Sequence, residues 1–155
     1  VNEEWSGSST FDSNVSLSRS TTAKVNVVKL DSFVDLNNTE ISRKSILLKI
    51  DVEGFDLKVL RGALGLLEKC SDFLIIIELS GRQFCNQESN FSVLENVFKR
   101  SVYQYGICDD ALLKIPSFAD LENFLRVDLD EHIDVVFASV GFAKLFSSRD
   151  AFNAK

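Results

Sequence analysis

Two acidic spots carry most of the chemistry this sequence could do. One is Asp51-Val52-Glu53-Gly54. The other is Glu78, which closes the apolar run Phe73-Leu74-Ile75-Ile76-Ile77. Carboxylates at such places bind a metal ion, accept hydrogen bonds from ligand hydroxyls, or remove a proton as a general base. Gly54 permits a tight turn or the close approach of a ligand to the backbone. The pattern is not a calcium loop, which needs Gly at its sixth position and a distant Glu. Nor is it a phosphate loop, since no Gly-Lys-[Ser/Thr] follows. A structural role competes with the chemical one, because acids also end strands and favour the first turn of helices. Lys49 sits between the two apolar halves of Leu47-Leu48-Lys49-Ile50. Its ammonium is expected to reach past the strand edge to water rather than to pair with an acid. His132, the single histidine, follows Asp128-Leu129-Asp130-Glu131. It is a candidate proton acceptor, but the acidic run around it reads first as an exposed, solvated loop.

The elements around these residues place the acids. Ile46–Ile50 is a nearly continuous apolar run, which suits a strand buried on both faces. From Phe55 to Lys69 the period changes. Leu57, Leu60, Leu64 and Leu67 form a stripe at helical spacing, with Asp56 in the first turn and Lys69 in the last. Phe73–Ile77 is a second buried strand that Glu78 is expected to stop. Strand, helix and strand over about thirty residues make a βαβ unit with parallel strands. Asp51 and Glu78 are then expected just past the carboxyl ends of neighbouring strands, on the sheet edge where open α/β folds hold their ligands. Carboxylates brought together there raise one another's pKa, one route to a base near neutrality. The flanking segments fit the same α/β class. A short strand is expected over Val25–Leu30, a helix over Phe91–Val102 and a strand over Tyr103–Cys108. A helix over Pro116–Arg126 and a closing strand over Ile133–Ala138, able to pair antiparallel, complete the series.

The chain of 155 residues is sized for one domain, with an irregular polar lead-in over 1–24, an α/β core over 25–140 and a tail over 141–155. A net charge of −6 with no basic run argues against nucleic acid as a partner. No run approaches the length of a membrane span and no signal-peptide pattern opens the chain, so the cytoplasm is the favoured compartment. Cys70, Cys85 and Cys108 are too widely spaced for a structural zinc site or a disulfide framework. The chain starts at Val1 and contains no Met, so its beginning is expected to be a cut.

The stretch Leu47-Leu48-Lys49-Ile50-Asp51-Val52-Glu53-Gly54-Phe55-Asp56, continued by Val59-Leu60-Arg61-Gly62-Ala63, resembles the FkbM family of S-adenosylmethionine-dependent methyltransferases. Leu30-Asp31 before it and Ile75-Ile76-Ile77-Glu78 after it lie at family-like distances, and Ser6-Gly7-Ser8-Ser9 is similar to a small-residue stretch upstream. The resemblance implies a Rossmann-like methyltransferase fold, with S-adenosylmethionine as cofactor and O-methylation of a hydroxyl on a small molecule or glycan. It implies that Asp51 and Glu53 line the reaction edge and that Glu78 supports them, with Asp51 the first choice for base or substrate contact. The family's glycine-rich cofactor loop and the acid after its second strand do not occur in these residues. The chain therefore resembles the second half of the domain. No cofactor-binding residue is assigned, the isolated chain is expected to be inactive, and its sheet edge is expected to drive self-association. Two other readings remain open: a non-catalytic α/β interaction module, and a divalent-metal hydrolase using Asp51, Glu53 and Glu78.

Overall fold

The computed structural model of the protein describes residues 25–52, 54–85, 88–108, 111–127 and 132–146. Glu53, the run 128–131 and the Ser6-Gly7-Ser8-Ser9 stretch lie outside the described residues. Five strands form one sheet: β1 (Ser45–Ile50), β2 (Asp72–Ser80), β3 (Tyr103–Cys108), β4 (Ala111–Lys114) and β5 (His132–Ala138), in the spatial order β1-β2-β5-β3-β4. The helices are α1 (Leu30–Phe33), α2 (Asp56–Arg61), α3 (Leu64–Lys69), α4 (Gly81–Cys85), α5 (Glu88–Arg100), α6 (Phe118–Val127) and α7 (Ala143–Phe146).

β1 and β2 run parallel, as the crossover requires, with Ile50 opposite Ile77. β5 inserts antiparallel between β2 and β3, and β3 makes an antiparallel hairpin with β4. The sheet is therefore mixed. The closing strand is antiparallel as expected, and β4 is an element the sequence reading lacks.

The alternation of side chains divides the sheet into two faces. On one face Ile50, Phe73, Ile75, Ile77, Leu79, Val135 and Phe137 are buried against Leu57 and Leu60 of α2, Leu67 of α3, Leu94 and Val97 of α5, and Leu121 and Leu125 of α6. Phe91, Phe98 and Phe118 extend this core edge to face, with ring centroids 5.0 Å apart for Phe91–Phe118 and 5.6 Å for Phe98–Phe118. The second face carries a smaller cluster of Leu74, Tyr105, Val136, Ala138 and Phe146. Phe146 stacks on both Tyr103 and Tyr105, at 5.3 and 5.4 Å. A short 3₁₀ turn, Val140–Phe142, brings α7 onto this face. Asp72 holds that turn: its Oδ1 accepts from Ser139 Oγ at 2.7 Å and from the Gly141 N–H at 2.8 Å. A side chain at position 141 would collide with the Asp72 carboxylate, so this is one place where only glycine fits.

Four expectations are corrected. β1 is an edge strand of the described sheet rather than a strand buried on both faces. Ile46, Leu48 and Ile50 pack on the helical core, whereas Leu47 points to the other face and is 65% exposed. An unbroken apolar run does not by itself tell an interior strand from an edge strand with one covered face. The strand over Val25–Leu30 is absent: Val25, Val27 and Val28 are exposed and Leu30 opens α1. Among the described residues, no neighbouring strand takes their backbone groups. The single helix over Phe55–Lys69 is two helices, broken at Gly62-Ala63. Asp31 explains the break. Its backbone N–H donates to the Gly62 carbonyl at 2.9 Å, and its carboxylate accepts from the N–H groups of Gly65 (2.9 Å) and Leu66 (2.8 Å). These amides sit in the first turn of α3, where they have no partner inside the helix. Finally, Glu78 does not stop β2, which runs on to Ser80 because β5 pairs with it as far as Ser80↔His132.

Candidate active site

The turn after β1 is built by a buried acid. Asp56 has no exposed surface. Its carboxylate accepts from the N–H of Val52 at 3.0 Å and from that of Gly54 at 3.2 Å. Gly54 has φ of 98°, a backbone state that side-chain-bearing residues avoid. Glycine and aspartate two residues apart thus reverse the chain in a few residues and start α2. Asp56 does more than favour a helix dipole. It ties the segment that follows Asp51 to the helix.

Asp51 follows directly on β1. Because Ile50 is level with Ile77, the next step of the register brings Asp51 level with Glu78. Glu78 lies opposite Asp134 of β5, and Ser80 opposite His132. Lys49, Glu78, Asp134 and His132 share the face away from the helical core, because each alternates with a core residue. The row crosses three strands at the carboxyl edge of β1 and β2.

Lys49 is the centre of the row, which corrects the expectation that it reaches to water alone. Its Nζ donates to Asp51 Oδ2 at 3.1 Å and lies 3.7 Å from Asp134 Oδ1, with its side chain 48% exposed. Burial pulls its pKa down, but the hydrogen bond to Asp51 and the charges of Asp134, Asp51 and Glu78 outweigh that and hold it above the ordinary lysine value. Asp51 and Glu78 therefore act on one ammonium rather than facing separate regions of solvent. His132 is the other correction. It opens β5 instead of lying in a loop, and its Nδ1 is 3.5 Å from Glu78 Oε2.

Sequence reasoning missed Asp134 and undervalued Lys49 and His132. Asp134 and His132 have strand-alternation spacing, i and i+2, ahead of Val136, and that parity was the available signal for their shared face. Which strand they would face was not in the local pattern.

Three carboxylates against one ammonium leave this edge negative, which suits a cationic ligand. Among the described residues, no three His, Cys, Asp or Glu side chains converge as metal ligands would. Lys49 pairs with two of these acids, and Glu53, the remaining acid of the metal-hydrolase reading, lies outside the described residues. Cys70 is buried and Cys85 exposed, and both are free thiols. Burial pushes the Cys70 thiol up, the opposite of what activates a nucleophilic cysteine. No helix among the described residues is long and apolar enough to cross a membrane.

The fold and this edge define the molecule as an α/β protein with a charged rim at the carboxyl ends of its parallel strands β1 and β2. The sequence profile of the methyltransferase FkbM domain matches residues 2–131. That span is most of the chain, and the chain belongs to the FkbM methyltransferase domain family. No curated protein and no solved structure gives a match.

Proposed function

We propose that this chain supplies the acceptor-side edge of an S-adenosylmethionine-dependent O-methyltransferase with a Rossmann-like fold, acting on a hydroxyl of a small molecule or glycan. One observation carries the reading within the family. Asp51, at the end of β1, and Glu78, on the parallel neighbour β2, gather with Asp134 around Lys49 on a single rim. When bound, the cofactor supplies an electrophilic methyl group on a sulfonium. The residues of this chain position the acceptor and take its proton. Asp51 and Glu53 line the acceptor side, with Glu78 in support. The negative rim tolerates the sulfonium's positive charge, and Asp56 keeps the β1–α2 turn from collapsing into it.

Calorimetric titration of the full-length protein tests the reading. Heat on adding S-adenosylmethionine, and none on adding Mg²⁺, is expected. Heat with Mg²⁺ alone would restore the hydrolase reading, and heat with neither would favour a non-catalytic module. The outer edge of β1 pairs with no strand among the described residues, and the 155-residue chain is expected to self-associate through it. A clean monomer in sedimentation would count against that.

A further inference from the structure

The imidazole of His132 faces the same rim and has no place in the reading so far. Glu78 pairs with Asp134 and Ser80 with His132 in the β2–β5 register, so His132 and Glu78 are diagonal neighbours on one face. Their closest polar atoms, Nδ1 and Oε2, are 3.5 Å apart, and the imidazole side chain is 51% exposed. Among the described residues, the charged groups that share its face of the sheet include Glu78 on β2, Asp134 on β5, Lys49 on β1 and Asp51 after β1. Asp51 holds the Lys49 ammonium on Oδ2. A neutral imidazole whose Nδ1–H faces a carboxylate keeps Nε2 as an open acceptor.

We infer that His132 is the catalytic residue that accepts the hydroxyl proton, through Nε2, and that Glu78 is its positioning residue; this rests on the methyl-transfer reading above. As the acceptor's O–H bond breaks, its proton goes to Nε2 and its electron pair forms the new O–CH₃ bond. The electrons of the broken C–S bond stay on sulfur. The imidazolium then releases its proton to solvent, to which half of the ring is open.

Because the chain has one histidine, histidine labelled with ¹⁵N gives one pair of ring signals in the 155-residue protein. The neutral ring is expected in the Nδ1–H form, and Glu78→Ala is expected to return it to the Nε2–H form that free histidine prefers. A wild-type ring already in the Nε2–H form overturns the pairing. Transfer of tritiated methyl from S-adenosylmethionine to a panel of monosaccharides and alkyl glycosides, using the full-length protein, tests the catalytic role. His132→Gln is expected to lower kcat about 100-fold or more, with KM for the cofactor unchanged and the acid limb of the pH profile lost. A variant with the wild-type rate and pH profile overturns it. Calorimetry with S-adenosylmethionine separates the two readings. Cofactor binding with unaltered turnover in His132→Gln removes only the histidine's role, whereas a protein that neither binds nor transfers removes methyl transfer as well.

Discussion

Acids do two different jobs in this molecule. Asp31, Asp56 and Asp72 turn their carboxylates on backbone N–H groups. Asp51, Glu78 and Asp134 instead gather around one ammonium on the rim. The first set fixes where the chain turns: after β1, between α2 and α3, and after β5. Each amide it satisfies would otherwise be left without a partner. The second set leaves its charge within reach of solvent, and exposed ion pairs contribute little to stability. The difference teaches that an acid's chemical availability is set by its partner. A carboxylate clamped on two amides is part of the scaffold, while one sharing a half-exposed lysine remains available to a ligand.

The contrast can be broken from either side. Asp56→Ala should have the largest effect, about 3 kcal/mol or more off the unfolding free energy in urea, because it strips a fully buried carboxylate from two amides. A loss below about 1 kcal/mol would mean that the turn holds itself and Asp56 belongs with the rim. Gly141→Ala should cost about 1–3 kcal/mol by forcing the Asp72 carboxylate off Ser139 and Gly141, again read by urea unfolding. Asp31→Ala should cost about 1 kcal/mol, the usual size of a lost helix cap, and should lower amide protection at Gly65 and Leu66 in hydrogen exchange.

The rim should respond in the opposite way. Asp51→Asn should leave unfolding within about 0.5 kcal/mol of wild type while methyl-transfer turnover falls. Full turnover in that variant would remove Asp51 from the acceptor side. Lys49→Met should cost less than about 1 kcal/mol, since the pair is half-exposed. Because folding raises the lysine's pKa, its contribution is complete below the ordinary lysine range and fades as pH rises through the folded value. Wild type should therefore lose a small increment of stability at strongly alkaline pH that Lys49→Met lacks. Leu47→Lys should change stability least, but it should reduce self-association in sedimentation if β1 is the contact.

Much of this was legible locally. Ile46–Ile50 and Phe73–Ile77 announced the parallel pair, and the leucine stripe at 57, 60, 64 and 67 announced the helical crossover. Pro116-Ser117 announced α6, where Ser117 Oγ accepts from the Asp120 N–H at 3.2 Å. Three misreadings share one cause. The Val25–Leu30 segment has strand composition but no strand beside it among the described residues. The run from Phe55 to Lys69 has an unbroken helical period, yet Asp31, more than thirty residues earlier, starts a second helix inside it. Glu78 resembles a strand stop only until β5 is known to lie alongside. In each case the presence or absence, among the described residues, of a distant partner for backbone N–H or C=O groups outweighed the local preference.

Periodicity, an acid and a glycine after a strand, and a family-like motif are properties of neighbouring residues, so the amino-acid order alone determined the α/β class, the parallel crossover and the presence of Asp51 and Glu78 on one edge. Strand order is a matter of which segments meet across long loops. Only the tertiary structure decided that β5 would insert beside β2, and with it that Asp134 and His132 would join Glu78 and that Lys49 would hold the rim together. Contacts of that kind depend on register between distant strands, where a shift of one residue sends every side chain to the opposite face.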